Sequence, residues 1–458
     1  MRILLPLLLA SGLLLPASGA KRPNILFLLV DDLGWADLAC YGSTFHETPH
    51  LDQLAKDGVR FTDAYCAASI CSPTRASLMT GKHPVRVEIT DWIPGSGGKG
   101  QKLRTPEDRH ELKLEEVTIA EALQAGSYRT FYTGKWHLGG KGFGPNQQGF
   151  EVYYDPHQNS SKGSPGRGKT VGRKHATHDL TRETKKFITA HQDEPFFAYV
   201  AYYDIHTPII AEKKYLAHYQ AKAAKLGPAP TAIKEHEGLS RPRQDNAALA
   251  TMVQAVDDSV GELLAHLDTL NLARNTYVFF YSDNGGLSTK KTVGPGCNLP
   301  LRASKGWLYE GGIRVPLIVR MPDRKRAGSE PTQYVTSTDF YPTLLDLAGL
   351  PPRPKQHADG RSFTGILNGA KERQAPRALY WHYPHYHGST WTPGAAIRDG
   401  DWKLIEFYHY GGYELYNLRD DLAESRDLAP DEPERARGLL HKLHLWQREL
   451  GAKLPATQ

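Results

Sequence analysis

The stretch Asn24-Ile25-Leu26-Phe27-Leu28-Leu29-Val30-Asp31-Asp32 decides the fold. From Ile25 to Val30 no residue is polar, so the segment reads as a strand buried on both faces, as in a parallel sheet covered by helices. Working outward, related runs recur. Phe196 to Tyr203 ends at Asp204, Tyr277 to Tyr281 ends at Asp283, and shorter strands are expected at Arg129 to Tyr132 and Val315 to Arg320. Helical stretches alternate with them. Thr48-Pro49 opens one that stops at Gly58, a capping box at Thr118 to Glu121 opens another that stops at Gly126, and Asn246 to Leu267 is a long third. This alternation predicts an α/β fold with a mostly parallel central sheet flanked by helices. In such sheets ligands bind beyond the carboxyl ends of the strands.

Pro351-Pro352-Arg353-Pro354 marks a boundary, after which the pattern changes. Short strands at Ala378 to Tyr383, Ala395 to Arg398, Trp402 to Tyr408 and Tyr413 to Asn417 precede a helix from Glu432 to Leu450. The expected units are therefore 21–354 and a smaller 355–458 built of antiparallel sheet plus helix. Pro94 to Lys102 and the basic stretch Lys162 to Lys174 read as loops.

The chain of 458 residues carries a formal net charge of +6, spread along its length and without a nucleic-acid-binding motif. Arg2, an apolar run from Ile3 to Pro16 and small residues to Ala20 read as a signal peptide, implying a secreted or periplasmic protein. A buried N-terminal helix is the alternative. No later segment is apolar enough to span a membrane. The four cysteines, Cys40, Cys66, Cys71 and Cys297, are too few for a disulfide scaffold.

The segment Cys71 to Gly81 reads as a helix with Ser72 as N-cap, Pro73 at the first position and Gly81 as the stop. Cys71 then sits before a helix N-terminus, where backbone N–H groups attract anions and favour a thiolate. A buried, inert cysteine is the alternative.

Cys71-Ser72-Pro73-Thr74-Arg75, followed by Met79-Thr80-Gly81, resembles the Cys-x-Pro-x-Arg signature of formylglycine-dependent sulfatases in the alkaline-phosphatase-like superfamily. The resemblance implies that a formylglycine-generating maturation enzyme oxidises Cys71. The hydrated aldehyde attacks sulfur with one hydroxyl, and loss of the other's proton releases sulfate. It also implies one Ca2+, held by Asp31, Asp32, Asp283, Asn284 and the modified Cys71; all-oxygen ligation suits that ion. Each acidic pair alone could equally cap a turn. Gly134-Lys135-Trp136-His137 resembles a second motif, in which Lys135 binds sulfate and His137 deprotonates the diol. His206, in Asp204-Ile205-His206-Thr207-Pro208, would be the general acid. Lys305 would be the second sulfate-binding ammonium, and Arg75 would hold the nucleophile and the metal carboxylates.

Candidate substrate contacts are Asp91, Trp92, His157, Arg302, His385 and His387; each could instead be a packing or surface residue. The resemblance implies a sulfated carbohydrate as substrate, and points to galactose or N-acetylgalactosamine sulfate in a polysaccharide. A phosphonate or phosphate ester hydrolase of the same superfamily, or a secreted glycan-binding protein, are the alternatives.

Overall fold

A computed structural model describes residues 21–95, 100–157, 176–324, 326–370 and 377–457. The expected signal peptide, the basic stretch Lys162 to Lys174 and part of the stretch Pro94 to Lys102 lie outside the described residues. Among the described residues, no helix is long and apolar enough to cross a membrane.

Seven strands form the central sheet: β1 (Asn24–Val30), β2 (Val59–Phe61), β3 (Arg129–Gly134), β4 (Val152–Tyr154), β5 (Phe196–Ala201), β6 (Thr276–Ser282) and β7 (Leu317–Arg320). Their order is β2-β7-β6-β1-β5-β3-β4. The run from β6 to β4 is parallel throughout, with β1 in register against β6 from Asn24–Thr276 to Val30–Ser282. Only β7 is reversed, pairing antiparallel with β6 and β2. The mostly parallel sheet expected from the sequence is therefore present, with one reversed strand.

Alternate residues of β1 face two apolar clusters. Ile25, Phe27 and Leu29 join one, and Leu26, Leu28 and Val30 join the other. Helices α1 (Pro49–Asp57), α4 (Ala176–Ala190) and α5 (Ala247–Thr269) cover the second face, while α2 (Cys71–Thr80) and α3 (Ile119–Ala125) cover the first. Leu51 and Leu54 of α1 are fully buried, each stabilising the fold by roughly 2 kcal/mol. Thr118 and Glu121 form the capping box expected at α3.

The C-terminal sheet is antiparallel, in the order β8 (Ala378–Tyr383), β9 (Gly394–Asp399), β10 (Trp402–Phe407) and β11 (Tyr413–Asn417). Helix α6 (Pro433–Leu450) packs Ala436, Leu439 and Leu443 on one face of it. The other face contributes Trp381, Ile405 and Phe407 to the cluster that holds Phe27. A buried charge array also crosses the contact. Lys403 Nζ lies 2.9 Å from Glu310 Oε1 and 2.8 Å from Glu424 Oε1, with all three side chains closed to solvent. Arg314 bridges Glu310 (3.2 Å) and Asp63 (3.0 Å), and Arg398 reaches Asp63 at 3.0 Å.

Candidate active site

Four adjacent parallel strands end at one edge of the sheet, and each carries polar residues just beyond its last turn of pleat. β1 leads to Asp31 and Asp32, β3 to Lys135 and His137, β5 to His206, and β6 to Asp283 and Asn284. The reversed strand β7 has its N-terminal end at the same edge, since Leu317 pairs with Tyr281. The segment before it can therefore bring Lys305 to the same place. β2 enters the edge from the other side and leads through Tyr65 to α2, whose first residue is Cys71.

These residues meet. Ligand atoms of Asp31, Asp32, Cys71 and His206 all lie within 4.8 Å of one another. Cys71 Sγ is 3.3 Å from Asp31 Oδ1 and 3.3 Å from Lys305 Nζ. Lys305 Nζ is 2.7 Å from Asp32 Oδ1, and Lys135 Nζ donates to Asp31 Oδ2. Arg75 donates through Nε to Asp283 Oδ2 at 2.9 Å, and its Nη1 donates to the Lys135 carbonyl. Asn284 donates to Asp32 Oδ1 at 2.8 Å.

Backbone geometry sharpens the cluster. Gly134 has φ +99°, and a Cβ there would sit 1.9 Å from the Ala201 carbonyl, so only glycine lets β3 close on β5 before Lys135. Asp32 and His137 adopt φ of 64° and 60°, a conformation that costs non-glycine residues energy and concentrates at functional sites.

The electrostatics follow from burial among opposite charges. Burial pushes Asp31 up, but Lys135, His206, Arg75 and Lys305 outweigh it and hold its carboxyl well below the usual range. Asp283 is pushed up to about 6, by burial and then by Asp31. Burial and then Lys135 push His137 far down, while burial and then Lys305 push His206 down. The expectation that the helix N-terminus favours a Cys71 thiolate is corrected. Burial, then Asp283 and Asp31, push that thiol up, so the unmodified side chain is a poor nucleophile. Helix α2 also starts two residues earlier than expected. Extended Ile70 is its N-cap, and Ser72 Oγ instead accepts the Ile93 N–H at 3.1 Å.

Ring tautomers can be read from fixed partners. His137 Nε2 donates to the Ile93 carbonyl at 2.6 Å, which leaves Nδ1 as the lone-pair nitrogen, buried and without a hydrogen-bond partner among the described residues. His206 Nδ1 donates to the Thr207 carbonyl at 2.6 Å, leaving Nε2 to face Asp32 Oδ2 at 3.8 Å.

The donor set fits the ion implied by the resemblance. Asn284 Oδ1 is buried and has no hydrogen-bond partner among the described residues, while its amide nitrogen binds the Asp32 carboxylate. An amide oxygen and carboxylates form a hard-oxygen set suited to Ca2+.

The candidate substrate contacts divide. His387 packs on the Lys305 segment, its Nδ1 only 2.3 Å from where a Cβ on Gly306 would lie. Trp92 is half-buried against the core, and the His157 ring stands edge-on to Tyr203 at 4.4 Å. Arg302 is engaged within the protein. Its Nε donates to Glu235 (2.9 Å), its Nη1 to Tyr416 (3.0 Å) and the Glu424 carbonyl (2.9 Å), and it lies on the Tyr309 ring at 4.0 Å. It ties the Lys305 segment to the C-terminal unit. Asp91 and His385 are buried and engage other protein groups, Asp91 accepting from Tyr383 and His385 meeting Thr90. Sequence reasoning read Ser72 as a helix cap and Tyr383 as the end of a strand, and it missed the Ile93 carbonyl, a main-chain group that carries no side-chain signal.

Residues 23–350 match the profile of the sulfatase family, and residues 303–449 match that of the N-sulphoglucosamine sulphohydrolase C-terminal region. A sulfatase of Formosa agariphila is 31% identical, with 93% of this chain and 89% of the relative covered. The N-acetylgalactosamine-6-sulfatase of Rattus norvegicus is 33% identical, over 78% of this chain and 68% of the relative. The crystal structure of Ps i-CgsB in complex with k-i-k-neocarrahexaose superposes with a TM-score of 0.74 at 29% identity, covering 93% of both chains. The charged cluster at the sheet edge thus lies in a chain that belongs to the sulfatase family, and the protein is a sulfatase.

Proposed function

We propose that the protein removes sulfate from a sulfated carbohydrate, using formylglycine made from Cys71 by a maturation enzyme. Its identity as a sulfatase removes the glycan-binding alternative. The observation that carries the mechanism is the convergence of Asp31, Asp32, Cys71 and His206 within 4.8 Å, flanked by the Lys135 and Lys305 ammonium groups. Formylglycine supplies a hydrated aldehyde, a nucleophile far better than the buried thiol, and one that can release sulfate without water attacking sulfur. A Ca2+ held by Asp31, Asp32, Asp283 and Asn284 supplies Lewis acidity and offsets sulfate charge.

The chain's own residues then have distinct tasks. Lys135 and Lys305 bind sulfate oxygens and counter the charge that builds on them. Arg75 keeps Asp283 in place through its two contacts at 2.9 and 2.7 Å. His137 accepts a proton at Nδ1, because Nε2 is committed to Ile93. His206 gives a proton from Nε2 to the leaving alcohol oxygen. Burial and then Lys305 lower the affinity of its ring for that proton, and the anionic ester raises it again.

A galactose or N-acetylgalactosamine sulfate is the proposed substrate. It is supported by the N-acetylgalactosamine-6-sulfatase relative and the neocarrahexaose-bound neighbour. The N-terminal segment before Lys21 is proposed as an export signal, consistent with an extracellular polysaccharide.

The test is sulfate release, followed by ion chromatography, from a panel of sulfated sugars. The enzyme is co-produced with a formylglycine-generating enzyme, and Cys71→Ser is run alongside. Release from a galactose or N-acetylgalactosamine sulfate, lost in Cys71→Ser, is the expected result. Release only from glucosamine or uronate sulfates overturns the substrate. No release after full conversion of Cys71, with turnover of a phosphonate ester, overturns the reaction.

A further inference from the structure

The loop Thr90–Gly95 touches three parts of the molecule at once. At its front, the Ile93 carbonyl accepts from His137, and the Ile93 N–H donates to Ser72, the neighbour of Cys71. At its back, Asp91 is 3% exposed. Asp91 Oδ1 accepts from the Trp92 N–H and from the Tyr383 hydroxyl, both at 2.9 Å. The Asp91 N–H donates to Asp108 Oδ2 at 3.0 Å, and His385 Nε2 lies 2.8 Å from Thr90 Oγ1. Tyr383 ends β8 and His385 follows it, so the C-terminal sheet grips the loop that holds the imidazole.

We propose that Asp91 and Tyr383 are positioning residues for His137, acting through the turn that carries the Ile93 carbonyl. The proposal rests on the proton-accepting role given to His137 above. His137 sits in left-handed backbone, and the partner fixing its ring is one main-chain carbonyl. That carbonyl is two residues from Asp91, whose carboxylate shapes the turn. Oδ1 holds Trp92 N–H, and Oδ2 lies 3.3 Å from the position a Cβ would take on Gly95. A buried carboxylate is costly unless donors satisfy it, so its orientation follows its donors. Without the Tyr383 hydroxyl the carboxylate turns towards other donors, and the turn, the carbonyl and the imidazole move with it. Misplacing a reacting group by about 1 Å can cost on the order of a hundredfold in rate. Asp91 and His385 are thereby reassigned from substrate contacts to the support behind His137.

The test is a double-mutant cycle on a small aryl sulfate, which leaves glycan contacts out of the measurement. Wild type, Tyr383→Phe, His137→Ala and the double variant are compared, with Asp91→Asn as a second probe of the same link. Tyr383→Phe is expected to lower kcat about tenfold and KM with it, leaving kcat/KM nearly unchanged. Phenol should appear in a burst ahead of sulfate, because the slowed step is proton removal after the ester bond breaks. The double variant is expected to be no slower than His137→Ala. An unchanged kcat, a fall in kcat/KM as large as the fall in kcat, or the same factor lost in the His137→Ala background overturns the proposal. An inactive, fully converted wild type overturns the reading of His137 and this proposal together; an active wild type with unaltered Tyr383→Phe overturns this proposal alone.

Discussion

Two buried charge arrays lie in this molecule, and they are built from nearly the same parts. At the sheet edge Asp31, Asp32 and Asp283 face Arg75, Lys135 and Lys305. Under the C-terminal sheet Asp63, Glu310 and Glu424 face Arg314, Arg398 and Lys403. Each sets three carboxylates against three cations. The second array is closed. Lys403 is fixed between two carboxylates, Tyr65 adds a hydroxyl to Glu310 at 2.7 Å, and the Glu310 N–H donates to Glu424 at 2.6 Å. The first array leaves Asn284 Oδ1 and His137 Nδ1 unanswered. Balance of charge is therefore no guide to role. What distinguishes these two arrays is that, among the described residues, Asn284 Oδ1 and His137 Nδ1 at the sheet edge meet neither a hydrogen-bond donor nor a counter-charge, whereas Glu424 Oε1, which also lacks a hydrogen bond, is answered by the Lys403 ammonium at 2.8 Å.

The strongest challenge to this contrast is Lys403→Met. It leaves Glu310 and Glu424 buried together without their shared ammonium, at an expected cost of about 3–5 kcal/mol. Urea unfolding measures it, and a loss below about 1 kcal/mol would erase the distinction. Lys305→Met, at the other array, should cut kcat/KM on a sulfate ester by about 10²–10³-fold. In Ca2+ it should lower the unfolding midpoint less than Lys403→Met does.

Metal sharpens the contrast further. Ca2+ at a hundred times its Kd should stabilise the wild type by about 2.7 kcal/mol. Asn284→Ala should lose most of that gain, as should chelation by EGTA, whereas Lys403→Met should retain it. Thermal unfolding with and without Ca2+ gives the answer.

The closed array also carries a pH dependence. Burial pushes Glu424 from its ordinary 4.5 up to about 7, with Lys403 acting against it. The folded protein then holds a proton that the unfolded chain has released. This contribution is full below about pH 4.5 and is lost as pH rises through 7. Glu424→Gln should flatten that part of a stability–pH curve, and an unaltered slope would show that Glu424 is ionised throughout.

The sequence was most legible where strands end in chemistry. β1 betrays itself by its apolar run and the acids after it, and Lys135, His137, His206 and Asp283 each follow a strand. The three-residue strands β2 and β4 went unread because they are too short to show a period. The start of α2 shifted because extended Ile70, not a side-chain oxygen, precedes it, and Ser72 was claimed by a distant N–H. Arg302 and Asp91 look like loop residues free to meet a ligand. Their partners, Glu235 and Tyr383, are remote in sequence, and no local pattern announces such pairings.

All ten residues of α2 are buried, and Cys71 is 1% exposed at the bottom of its cluster. A second protein could not grasp that segment in the finished fold. On the mechanism proposed above, the enzyme that converts Cys71 must therefore reach it while the chain is still open. On that mechanism, maturation is a race against folding. Changes that speed closure of the edge would yield more protein that is perfectly stable and permanently unconverted.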